Sequence, residues 1–166
     1  MRLLLLLLLM GLAIFFQVTL LNFFPVFGVK PDLVLIIVVF NAFLKGSREG
    51  ALVGFLGGIF VDLATGSYIG MNALALMIVG YLVGFTESKI YKDSSIIVIF
   101  MVWMAAFLDQ LLTYILLYSM NVQISPGVAL LRVMLPAATY TAVLVPLFYH
   151  RFYCSNQAGL LRGGNI

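Results

Sequence analysis

The sequence predicts an all-α integral membrane protein: a bundle of six transmembrane helices with both termini in the cytoplasm. Three observations carry that prediction. The 166 residues are 64% hydrophobic and only 9% charged, with a mean hydropathy of +1.17, whereas a soluble domain carries about 25% charged residues. The apolar residues fall into six runs, and the polar stretches between them are each about ten residues or fewer, which leaves no room for a water-soluble active site. Glycine returns at every fourth position through Gly46, Gly50, Gly54 and Gly58, and again at Gly66 and Gly70, with Asp62 standing in the same ladder. Small residues four apart mark close helix contact in lipid, where helix association gains nothing from hydrophobicity.

The elements follow in order. Arg2 and seven leucines resemble the start of a signal peptide, but the apolar run continues to Phe24 with no small-residue cleavage pattern, so it reads as an uncleaved first span. Pro25 and Pro31 bracket a turn, and Pro31 suits the first turn of a second helix, Asp32 to Leu44. Thirteen residues rise only about 20 Å against a hydrocarbon core of about 30 Å. Such a helix needs local thinning, burial in protein, or turns recruited from its flanks. The third helix, Gly50 to Thr65, is short in the same way. Gly66 to Gly70 is a tight turn, and the fourth helix, Met71 to Thr86, repeats the small-residue spacing at Gly80 and Gly84. A charged loop, Glu87 to Ser94, precedes a long fifth helix, Ser95 to Tyr118. After a polar turn ending in Pro126 and Gly127 comes a sixth helix, Val128 to His150, where Pro136 and Pro146 predict kinks or breaks.

This gives one six-helix domain over residues 1–151 and a short cytoplasmic tail over 152–166. With the N-terminus inside, the cytoplasmic segments hold Arg2, Lys45, Arg48, Lys89, Lys92, Arg151 and Arg162, and the outer segments hold only Lys30. That asymmetry fixes the orientation. The net charge of +3 is spread singly between apolar runs, so it reads as topology signal and not as a nucleic-acid surface. The single cysteine, Cys154, excludes an internal disulfide. The ladder of helices three and four has no counterpart in five and six, which argues against an inverted-repeat transporter.

Two features are candidates for function. Gly50, Gly54, Gly57, Gly58, Gly80 and Gly84 would form a groove free of side chains, shaped to receive the single helix of a partner. Three ionisable residues fall within spans: Asp62, Asp109 and Arg132. Counting 1.5 Å per residue places Asp62 and Arg132 at similar depth, predicting an ion pair that fixes helix register. Asp109 lies near the midplane, within reach of the same guanidinium or facing a polar cavity with Gln110, Thr113 or Thr139. Trp103 reads as packing. His150 beside Arg151 suits a helix C-terminus. One His and one Cys do not converge on a metal, and neither a metal nor a cofactor is expected.

The segment from Pro31 to Gly84 resembles the signature region of the rod shape-determining protein MreD family. The resemblance rests on Pro31, Asp32 and Leu33 opening a short helix, Gly46 and Arg48-Glu49-Gly50 at the turn, Gly54 with Gly57-Gly58, then Asp62, Gly66, Gly70, Asn72-Ala73 and Gly80. It implies a polytopic protein of the bacterial inner membrane without catalysis or catalytic residues. The implied partners are the single-pass protein MreC and, through it, MreB filaments, the glycosyltransferase RodA and a class B penicillin-binding protein. It also implies a fold similar to the S-component of energy-coupling-factor vitamin transporters. A substrate-binding subunit of such a transporter is the alternative function, although Leu3 to Phe24 lacks the Ala-xxx-Ala docking surface that those subunits carry. A small intramembrane enzyme such as a lipid-phosphate transferase is disfavoured, because Asp62 and Asp109 are isolated rather than clustered for metal and phosphate.

Overall fold

The computed structural model describes residues 2–19, 29–66, 68–86, 95–122 and 125–157, and the backbone alone at 2–7, 95 and 147–157. The described elements are α1 (Arg2–Thr19), α2 (Leu33–Lys45), α3 (Ser47–Thr65), α4 (Met71–Phe85), α5 (Ser95–Ser119), α6 (Pro126–Val128), a π-helical segment (Ala129–Met134) and α7 (Leu135–Gln157). Two stretches are long and apolar enough to cross a membrane, Ile96–Ser119 and Pro126–Pro146; Leu8–Thr19, Leu33–Lys45 and Met71–Phe85 are apolar but shorter. The turn before Pro31, the loop Glu87 to Ser94 with Lys89 and Lys92, and the end of the tail with Arg162 lie outside the described residues. So do the side chains of Arg2, His150, Arg151 and Cys154.

The bundle is organised around α2. Ten consecutive residues, Val34 to Phe43, are buried, because α1, α3, α4, α5 and α7 all pack against this one short helix. A helix that is apolar on every side suits either a protein interior or lipid, and here protein encloses it. Of the three ways a thirteen-residue helix can be accommodated, this chain uses burial in protein. Asp32 caps its start by accepting the N–H of Leu35 at 2.9 Å. Its end is sharp. The Gly46 N–H donates to the Ala42 carbonyl at 2.8 Å, and Gly46 sits at φ 88°, ψ −178°, a conformation open to glycine and few other residues. Helix α3 therefore starts at the next residue. It is not the short helix expected from Gly50, but 19 residues rising about 28 Å.

Helices α3 and α4 form an antiparallel hairpin whose main chains touch. A Cβ on Gly50 would strike Ala42 and the Gly80 carbonyl; one on Gly54, the Leu76 carbonyl; one on Gly58, the backbone of Ala73; one on Gly84, the backbone of Gly46 and Ser47. Gly57 looks the other way, at Met10 of α1 and Val34 of α2. The expected docking groove is thus corrected. Gly50, Gly54, Gly57, Gly58, Gly80 and Gly84 are all filled by this chain's own helices, leaving no stripe open for a foreign one.

Helices α5 and α7 form the second main pair, closing over α2. In α5 the Trp103 ring stacks between Phe100 and Phe107, with centroids 6.4 Å and 6.0 Å away, which supports its packing role. Pro136 has no N–H to give the Arg132 carbonyl. The turn before it widens into the π-helical segment, where the Leu135 N–H reaches back to the Leu130 carbonyl. At Pro146, by contrast, the helix runs on, and it extends to Gln157 rather than stopping at His150.

Candidate functional site

Two polar constellations stand out in this apolar bundle. The first is the latch between α3 and α4. Asp62 is fully buried, and its carboxylate accepts the N–H groups of Gly70 (2.8 Å), Asn72 (3.2 Å) and Ala73 (3.3 Å) and the side-chain amide of Asn72 (2.8 Å). The first turn of a helix leaves its N–H groups without partners and carries the positive end of the helix dipole, so an anion there is well placed. Getting the chain back to Asp62 in so few residues requires left-handed backbone at Gly66 (φ 63°) and Gly70 (φ 101°). The turn motif of Gly66, Gly70 and Asn72 is thereby explained as the geometry that brings the start of α4 onto this carboxylate.

This corrects the expected pairing of Asp62 with Arg132. Helix α3 packs on α1, α2 and α4, whereas the π-helical segment carrying Arg132 packs on α5, α6 and α7, and the Arg132 side chain is exposed. Equal depth does not make two helices neighbours.

The second constellation gathers around the start of α2. The Asp32 N–H donates to the Thr141 hydroxyl at 3.2 Å. The Asp32 carboxylate accepts the Leu35 N–H at 2.9 Å; the Val34 N–H and the side-chain amide of Gln17 on α1 lie beside it, and Asp109 on α5 is within range of its charge. Asp109 is 3% exposed, yet its Oδ1 has no hydrogen-bond partner; nor do Gln17 Oε1 and Thr113 Oγ1, which are also buried. Thr113 stands one helical turn from Asp109 on the same face. Of the residues expected around Asp109, Thr113 shares its face of α5 and has a buried oxygen. Thr139 is exposed and donates to the Leu135 and Pro136 carbonyls.

Sequence reasoning missed Asp32 as the neighbour of Asp109, and missed Gln17 and Thr141 altogether. A signal existed for Gln17, one of two amide side chains, with Asn22, in the first apolar run. Pro31 is buried just ahead of this cluster, and Gly46 closes the opposite end of α2. A fourth buried orphan, Asn41 Oδ1, lies nine residues along α2 from Asp32, about 13 Å away at helical rise, and is separate from the cluster. Among the described residues no group of three or more His, Cys, Asp or Glu side chains is arranged to hold a metal ion.

Comparison with known proteins gives one match: the family model described as rod shape-determining protein MreD covers residues 1–154. No curated protein and no solved structure matches the chain.

Proposed function

The chain belongs to the MreD family of rod shape-determining membrane proteins, and from that premise we propose that it is a non-enzymatic scaffold of the cell-elongation machinery. In this reading it lies in the bacterial inner membrane with six spans and both termini in the cytoplasm. It binds the single-pass protein MreC and helps couple MreB filaments to peptidoglycan synthesis by RodA and a class B penicillin-binding protein. The observation that carries the reading is the family match, which extends over nearly the whole chain. The way the glycines are used refines it. Since α3 and α4 seal each other, the partner span rests on the outer ridges of that hairpin, where Leu52, Phe55, Phe60 and Tyr81 are exposed, and not in a groove between its helices. A hairpin with main chains in contact is stiff, which suits a docking platform.

The test is complementation combined with capture. In rod-shaped cells lacking their own MreD, this chain should restore the rod and should co-purify with the MreC of its own source. A photo-crosslinker at Leu52 or Tyr81 should trap MreC, while one on the exposed face of α1 at Phe15 should not. Round cells together with free MreC would remove the reading. A vitamin travelling with the purified protein would favour the transporter-subunit alternative instead.

A further inference from the structure

A cation faces outward from an apolar surface of the bundle. Arg132 lies within Pro126–Pro146, a stretch long and apolar enough to cross a membrane, and its side chain is exposed. Its neighbours Leu130, Leu131 and Val133 are exposed as well. The π-helical segment thus turns only Ala129 and Met134 inward and presents the residues between them to the surroundings. Among the described residues Arg132 has no hydrogen-bond or ion-pair partner, and a guanidinium left unpaired in hydrocarbon is costly.

The place of Arg132 in its helix says where that charge goes. The helix starts at Pro126, so Arg132 lies at most about 9 Å of rise inside it. The last turn of α5 ends beside the same boundary, and its Tyr118 is 64% exposed; tyrosine collects where lipid meets water. Helical side chains lean toward the N-terminus of their own helix, which for Arg132 is that boundary. Its stem therefore lies along apolar surface while the guanidinium climbs to the depth of the lipid headgroups.

We propose that Arg132, with Leu130, Leu131 and Val133 around it, binds the headgroup phosphate of an anionic phospholipid. A guanidinium holds a phosphate through two parallel N–H···O bonds, and a lipid with one net negative charge balances the single positive charge. The exposed leucines and valine line the path of its acyl chains. A partner helix fits this surface less well, because close helix contact in lipid relies on small residues. Gly127 lies at the boundary, and the alanines deeper in the stretch, Ala129, Ala137, Ala138 and Ala142, are all turned inward. The site is independent of how the chain binds MreC.

The experiment uses the full chain reconstituted in phosphatidylcholine bilayers with a trace of phosphatidylglycerol carrying a photoreactive headgroup, and maps the adducts by peptide. The label should mark residues 128–134. In Arg132→Gln that mark should fall about fivefold, the effect of one basic residue at a membrane surface. Arg132→Lys, which keeps the charge and loses the fork, should retain most of it. Arg48→Gln, which removes an exposed cation on α3, should leave it unchanged. The same photoreactive group on phosphatidylcholine should mark the segment weakly, and inorganic phosphate should not displace the lipid. In cells, a photo-crosslinker at Leu131 should take up lipid and no protein. A mark that survives intact in Arg132→Gln would overturn the proposal. So would equal marking by the two lipids, displacement by inorganic phosphate, or a discrete protein adduct at Leu131.

Discussion

A methyl group at Gly54 is the sharpest probe of how this bundle holds together. The Cβ of Gly54→Ala would overlap the Leu76 carbonyl of α4, with the Met77 nitrogen only 3.1 Å away. Main-chain atoms cannot rotate aside as a side-chain end can. Helix α4 must therefore move away from α3 by roughly 1 Å, and the contacts at Gly58, Gly80 and Gly84 loosen with it. Overpacking that side chains can absorb costs about 1 to 3 kcal/mol, and an obstacle made of backbone belongs at the upper end, about 3. Alanine returns about 1 kcal/mol of helix propensity. The net loss is about 2 kcal/mol, or roughly thirtyfold in the ratio of folded to unfolded protein. The control is Gly11→Ala on α1, where a Cβ meets nothing within 4 Å and only the propensity gain remains. Both variants, purified in detergent, should be unfolded side by side. A Gly54→Ala protein as stable as Gly11→Ala would mean that α3 and α4 do not touch as described, and the open-groove reading would return.

Three further outcomes follow. Asp62→Ala strands three backbone N–H groups and the Asn72 amide in the hairpin turn, so it should cost at least about 2 kcal/mol in the same unfolding assay; Arg132→Ala should change stability by less than about 0.5 kcal/mol, and the charge swap Asp62→Arg with Arg132→Asp should fail to rescue. Gly70→Ala has open space around it but a φ of 101°, so its cost should be purely conformational, about 1 to 2 kcal/mol, and Gly70→Asn should recover part of it. Gly57→Ala meets the flexible end of Met10 at 2.7 Å and Val34 at 3.0 Å; it should cost clearly less than Gly54→Ala, and the truncation Met10→Ala should lessen that cost further, as a double-mutant cycle would show.

Much of this architecture was legible in the residues. The apolar runs gave the helices, the four-residue glycine spacing located the tightest contact, and Gly66 and Gly70 marked the turn. What the spacing could not supply was the occupant. A ladder of glycines describes one face, and the repeat at Gly80 and Gly84 on the next helix was the only pointer to what fills it. Asp62 was misassigned because depth counting compares heights along parallel rods and says nothing of which rods adjoin; its actual partners lie eight to eleven residues ahead, in a turn whose shape depends on two positive φ values. Asp32 and Asp109 were kept apart by the same counting. It assumes that each helix begins at the membrane boundary, whereas α2 starts beside Thr141, well inside α7. A short helix sunk inside its neighbours breaks that assumption.

The enclosure of α2 also orders the assembly of the protein in time. The α3 and α4 hairpin joins neighbours in sequence and can close as soon as both have been made, but α2 gains its last walls only when α5 and α7 arrive, some fifty and ninety residues later along the chain. Until then its acidic cap and Asn41 face lipid or whatever chaperone occupies the vacancy. A ribosome stalled after α4 should therefore leave a product that the membrane quality-control proteases remove, while one stalled after α7 should leave a durable one. The chain from α5 onward is, in this sense, the lid that makes its own beginning fit to remain in the bilayer.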